Sequence, residues 1–226
     1  MFQLKFNRMK KTEIQIEVVS DVVCPWCYIG KRRMEKAVDQ LKDQYDFKIT
    51  FSPFELNPDM PQEGSDQKAY LSKKFGGEER YNQIIQQVSQ LAATEGLNFD
   101  YSKQAVSPNT RDAHRIIWYA KQEGKQPAVK EAFLKAYFEN GIDLSKKENL
   151  IQIAGDAGLS TEKVKSLLES AEGLKEVERS EQMSHQRGIS GVPYYIINNK
   201  YGVSGAQPSD IFVRTFQEIA QKEDND

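Results

Sequence analysis

Between Glu13 and Ser20, apolar Ile14, Ile16 and Val18 alternate with Gln15, Glu17 and Val19. That period of two is the pattern of a half-buried strand. From Cys24 the period lengthens. Cys27, Met34, Val38 and Leu41 fall on one helical face, with Lys31, Glu35, Lys36 and Lys42 largely outside it. Pro25 suits the first helical position, where its missing N–H would be unpaired anyway. Phe47, Ile49 and Phe51 then alternate with Lys48, Thr50 and Ser52 in a second strand, which Pro53, Pro58 and Pro61 close and lead into an extended loop. A strand, a helix and a strand within about 40 residues predict a βαβ unit with parallel strands.

From Ser65 to Gly188 the period is helical throughout. Tyr81, Ile84, Ile85, Val88, Leu91 and Ala92 make one stripe, ended at Gly96. Asn109 or Thr110 caps a helix carrying Ala113, Ile116, Ile117 and Ala120, with Gly124 beyond it. Val129, Phe133, Ala136 and Tyr137 form the next stripe, Leu150, Ile151 and Ala154 a short helix, and Ser160 caps another with Val164, Leu167 and Leu168. A last helix of this block runs from Gly173 to Arg187. Tyr70, Phe75, Tyr81, Phe133 and Tyr137, at helical spacing, are read as core. Strand pattern returns at Tyr194–Ile197 and Tyr201–Ser204 around an Asn198-Asn199-Lys200 turn, which makes a hairpin. Pro208-Ser209 opens a final helix with Phe212, Phe216 and Ile219 on one face.

The order is β-α-β, a helical block, β-β-α. One sheet cannot absorb so many helices in a layer. The expected architecture is therefore α/β, with a discontinuous sheet domain at 13–64 and 189–224 and an inserted helical domain at 65–188. No repeat of fixed period is visible.

Composition narrows the function. The chain has 226 residues, 38% hydrophobic and 28% charged, with a formal net charge of −2, as in an ordinary globular protein. That balance offers no bulk attraction to nucleic acid or to an anionic membrane, and no apolar run has membrane-spanning length. Met1 to Lys11 is basic but lacks an apolar core and a cleavage site, so it does not read as a secretory signal. Residues 1–12 are expected to form a frayed tail, with Met9 a candidate alternative start, and Gln221 to Asp226 a solvated one. The expected compartment is the cytosol.

The candidate chemistry lies in Asp21-Val22-Val23-Cys24-Pro25-Trp26-Cys27-Tyr28-Ile29-Gly30, which holds both of the chain's 2 cysteines. A C-x-x-C pair at a strand–helix junction in a reducing compartment points to thiol–disulfide exchange. Cys24 at the helix N-terminus faces unpaired N–H groups and the positive end of the helix dipole, which favour a thiolate. Cys27, a turn later, faces the core. The spacing assigns Cys24 as the accessible attacking thiol and Cys27 as the sheltered resolving thiol. Two alternatives weigh against this. Zinc wants four ligands, and the only further candidates, His114 and His185, are far apart in sequence. Two inert buried cysteines would rarely fall at such a junction.

A second feature is Gly188-Ile189-Ser190-Gly191-Val192-Pro193-Tyr194. A proline where a strand begins cannot donate to the ladder, and X-Pro is the bond that readily adopts cis. A cis bond would turn the Val192 backbone outward beside Cys24; a trans proline at a strand start is the plainer alternative.

Taken together, these stretches resemble the DsbA family of thioredoxin-fold proteins, and more narrowly its FrnE-like cytosolic branch. Ser20 to Gly30, Pro53-Phe54-Glu55-Leu56-Asn57-Pro58, Asn109 to Arg115 and Gly191-Val192-Pro193 carry the likeness, which spans about residues 13–222. The resemblance implies a thioredoxin-like fold with a helical insertion, a cis Val192-Pro193 facing Cys24, and a groove for substrate between the two parts. Cys24, Cys27 and Pro193 are then the candidate catalytic residues, and Pro25, Trp26, Val192 and His114 the substrate-binding ones. It also implies thiol or disulfide partners, protein or small-molecule, with no cofactor beyond glutathione as a redox partner, and a monomer or homodimer. Kappa-class glutathione transferases and hydroxychromene-carboxylate isomerases share the topology but use Ser at the position of Cys24. A glutathione-dependent isomerase or transferase is thus the rival activity, and a redox-switched binding module the non-catalytic one. Strongly oxidising DsbA members carry a His between the cysteines. Trp26 cannot sit there as a cation, so a potential between about −270 and about −120 mV is expected. Asp21 is a candidate acceptor, through water, for the Cys27 proton.

Overall fold

The computed structural model describes residues 11–223. The candidate start Met9 and residues 224–226 lie outside them. Thr12, assigned to a frayed tail from sequence, is instead the first residue of strand β1, Thr12–Ser20, and pairs with Tyr45. Helix α1, Pro25–Leu41, and strand β2, Tyr45–Pro53, complete the βαβ unit, with β1 and β2 parallel in register Ile16↔Ile49. At the other end of the chain come β5, Tyr194–Ile197, β6, Tyr201–Ser204, and α9, Ser209–Glu223. Strand β5 runs antiparallel to β1 and to β6, giving the order β2-β1-β5-β6. Asn198 and Asn199, with φ of 49° and 55°, make the tight hairpin turn, where Asn tolerates left-handed backbone.

The alternation in β1 divides the core. Ile14, Ile16 and Val18 pack with Met34 and Ala37 of α1 and Phe212 and Phe216 of α9. Val19, one residue out of that phase, joins Phe54, Ile189 and Ile196 in a smaller cluster.

Between β2 and β5 lie α2 (Gln67–Phe75), α3 (Glu78–Thr94), α4 (Arg111–Gln122), α5 (Gln126–Phe138), α6 (Lys147–Asp156), α7 (Thr161–Leu168) and α8 (Leu174–Gln186). The stretch is not helical throughout, as the periodicity had predicted. Two-residue strands, β3 (Ser65–Asp66) and β4 (Val106–Ser107), pair antiparallel within it. Strands that short leave no period to read.

One side chain docks this helical region onto the sheet. Strand β2 is a sheet edge whose backbone at Phe51 would be buried unpaired. The Gln126 amide satisfies it as a neighbouring strand would: Phe51 N–H donates to Gln126 Oε1 at 2.9 Å, and Gln126 Nε2 donates to Phe51 O at 2.9 Å. Gln126 opens α5, so this clamp fixes the next turn of α5, which carries Lys130, behind the end of β1.

Candidate active site

Strand β1 ends at Ser20, and Asp21-Val22-Val23 turn the chain into α1. Cys24 is the N-cap, with extended φ and ψ of −92° and 113°, and Pro25 begins the helix. Its carbonyl accepts from Cys27 N at 3.0 Å and Tyr28 N at 3.4 Å, which sets Cys27 one turn above it. Both cysteines are free thiols. The Val192–Pro193 peptide is cis, and Cys24 Sγ–H donates to Val192 O across 3.6 Å. Gly205 N–H donates to Pro193 O at 2.9 Å and ties this loop to the end of β6.

Cys24 is not the open thiol expected from its position. It is 3% exposed and Cys27 2%. The cause is the Val192 loop, 168 residues away in sequence, which lies over the sulfur. Trp26 is the exposed part of the motif, at 43%. Pro25 and Val192 are half-buried, Pro193 is buried, and all four flank the Cys24 end of α1. Gly30 belongs to the same packing. A Cβ there would collide with Tyr195 Oη and approach Pro193 Cγ to 3.1 Å, so only glycine lets α1 lie this close to the loop.

Beneath the thiols sits a buried polar cluster. Asp21 is fully buried. Its Oδ1 accepts from Val22 N at 2.7 Å and from His114 Nε2 at 3.2 Å, and its Oδ2 from Leu56 N at 2.9 Å. Burial pushes its pKa up, but the His114 hydrogen bond and charge, the Leu56 N–H and the Lys130 charge outweigh that and hold it below the usual carboxylate value. A carboxylate engaged by three donors is a poor proton acceptor, contrary to the role expected for Asp21. His114, expected to line the groove, is 2% exposed and turned onto Asp21 instead. An arginine-flanked histidine on a helix looks surface-facing in sequence; the buried carboxylate that holds it inward lies 93 residues earlier.

The sequence reading passed over two members of the cluster. Lys130 is 1% exposed and donates to Ser20 O across 3.4 Å. Burial lowers its pKa to about 8, against the opposing charges of Cys27, Asp21 and Cys24. Tyr195 is fully buried, and its hydroxyl has no hydrogen-bond partner among the described residues. Lys130 had a visible mark: it lies on the apolar stripe, three and seven residues before Phe133 and Tyr137. The Cys27 thiol is pushed well up in pKa, first by burial and then by the hydrogen bond to Cys24, with Lys130 opposing. Among the described residues, no group of three or more His, Cys, Asp or Glu could hold a metal ion.

Known proteins agree with this architecture. The family model of the DSBA-like thioredoxin domain matches residues 15–217. The chain belongs to that family of DsbA-like oxidoreductases. A crystal structure of a probable DsbA oxidoreductase, SCO1869 from Streptomyces coelicolor, is 31% identical, with a TM-score of 0.87 over 93% of this chain and 91% of that one. The uncharacterized protein YwbO of Bacillus subtilis is 26% identical over 92% of this chain and 98% of its own. Two further structures share the fold at lower identity. The cytosolic disulfide reductase DsbM of Pseudomonas aeruginosa, solved with GSH, is 13% identical at a TM-score of 0.65 over 92% of this chain and 99% of that one. A 2-hydroxychromene-2-carboxylate isomerase is 12% identical at 0.69 over 93% and 98%.

Proposed function

We propose that the protein is a dithiol–disulfide oxidoreductase of the FrnE-like branch, in which Cys24 attacks and Cys27 resolves. One observation carries the reading: Cys24 caps α1 beside the backbone of Val192, with Cys27 held a turn above it and free to pair. A thiolate at Cys24 attacks a substrate disulfide, forming Cys24–S–S–R and releasing one substrate thiolate. Cys27 then attacks Cys24 Sγ, closing the Cys24–Cys27 disulfide and expelling the second. A reductant such as glutathione returns the pair to the dithiol. Run in reverse, the same steps oxidise a substrate. The exposed Trp26 face offers an apolar platform for the partner, and Val192 and Pro193 supply backbone beside the sulfur. The compartment is the cytosol, where the thiols are kept reduced. The DsbM structure, whose name gives both a cytosolic reductase and bound GSH, supports glutathione as the small-molecule partner.

Insulin reduction with glutathione, on wild type, Cys24→Ser and Cys27→Ser, tests this. Cys24→Ser abolishes turnover, and Cys27→Ser accumulates mixed disulfides. Full activity of Cys27→Ser on glutathione-dependent substrates would favour isomerase or transferase chemistry instead.

A further inference from the structure

We propose that Lys130 is the proton acceptor for the Cys27 thiol during resolution, and that the proton leaves through the cavity between β2, α4, α5 and α8. The proposal rests on the dithiol reading of the site.

Resolution needs Cys27 as a thiolate. Burial opposes that ionisation, so the proton must go to a nearby acceptor rather than to bulk water. The ionisable groups whose charges act on Lys130 are Asp21 from the β1–α1 turn, Cys24 at the helix cap, and Cys27 and Lys31 from α1, and His114 of α4 lines the same cavity. Asp21 is engaged by three donors. His114 gives its Nε2–H to Asp21. Cys24 is in the mixed disulfide at that moment and has no proton to exchange. Lys31 is held in ion pairs with Glu35 and Glu131 at 2.6 and 2.5 Å. That leaves Lys130, whose ammonium makes one long hydrogen bond at 3.4 Å to Ser20 O.

A buried lysine held near about 8 is partly neutral at physiological pH, so it can accept. The step balances: Cys27–SH and Lys130–NH2 become Cys27–S⁻ and Lys130–NH3⁺. The thiolate attacks Cys24 Sγ, the Cys24–Cys27 bond forms, and the bond to the substrate sulfur breaks. The departing thiolate takes its proton from solvent. When the disulfide is reduced again, a proton enters by the same cavity and Lys130–NH3⁺ passes it to Cys27.

The cavity provides the exit. Its volume is about 80 Å³, room for a few waters. Its lining runs from buried His114 and Lys130 through half-buried Ser52 and Ser180 to exposed Lys121 and Glu176. It lies against β2 and the helical insertion, so a proton would not have to cross the Val192 side, where substrate sulfur sits.

The test follows reaction of the reduced protein with Ellman's reagent by stopped flow. Attack by Cys24 releases one thionitrobenzoate in a bimolecular phase. Resolution by Cys27 releases the second in a phase independent of reagent concentration. In Lys130→Met the second phase slows at least about tenfold at neutral pH and keeps rising with pH beyond the wild-type plateau. In Lys130→Ala the same loss is reversed by ethylamine or methylamine, in proportion to the free base present, because the amine enters the emptied cavity. An unchanged second phase in folded Lys130→Met overturns the proposal. A slowed phase that no amine restores also overturns it, since a purely structural lysine gives that result. Absence of a second phase from wild type would be a different failure, that of the dithiol cycle itself.

Discussion

Cys24 Sγ lies 3.6 Å from the carbonyl oxygen of Val192, in the loop that precedes β5. The thiol is therefore both capped by a distant loop and placed beside backbone that an extended partner could pair with. Cys27 is as buried, and burial holds its proton on. Since the thiolate is the reactive form, brief treatment of the reduced native protein with iodoacetamide should modify Cys24 before Cys27. Peptide mapping by mass spectrometry reads the order; modification of Cys27 first would reverse the assignment of roles.

Gly30 and Tyr195 are matched in size. Gly30→Ala places a methyl group against Tyr195 Oη and Pro193 Cγ, and overpacking of this kind costs about 1–3 kcal/mol. The Tyr195 hydroxyl has no partner among the described residues, so Tyr195→Phe alone should be near neutral in a urea melt. The double variant should recover much of the Gly30→Ala loss, because the two changes meet at one contact. Strict additivity would show that the clash is relieved elsewhere.

Acid should expose the ion cluster between α1 and α5. Glu131 accepts from Tyr28 Oη at 2.8 Å and Lys31 Nζ at 2.5 Å, and pairs with Arg32. Burial would raise its pKa, but the Arg32 hydrogen bond and the Lys31 charge hold it at about 2. The folded value lies below the unfolded one of about 4.3. The stabilisation is therefore complete above that unfolded value and is lost as pH falls toward about 2. Thermal melts of wild type and Glu131→Gln should differ most near neutrality and converge on acidification below about pH 4. A constant gap would mean that Glu131 acts through shape rather than charge.

Much of this architecture is legible in the sequence because its cues are local. Period two in β1 and β2, the Asn198-Asn199 turn and the Cys24-Pro25 helix start each act within a few residues, and the structure places each where the pattern does. What escaped involves partners distant in the chain. The resemblance places Val192-Pro193 beside Cys24, but nothing near Cys24 indicates that the loop buries the sulfur, and nothing near His114 indicates the carboxylate of Asp21. The ladder of Ser65–Asp66 with Val106–Ser107 is too short to carry a period. Lys130 lies on the apolar stripe of α5 but carries no local sign of burial, because a lysine on a helix is usually solvated; the Gln126 clamp on Phe51 helps to turn this one inward.

The central claim is that Cys24 and Cys27 form a reversible redox pair, and equilibration of the protein against a glutathione series tests it most directly. The account predicts a single two-electron transition, lost in Cys27→Ser, with a potential between about −270 and about −120 mV. A potential outside that interval, or no Cys24–Cys27 disulfide at any glutathione ratio, would contradict it.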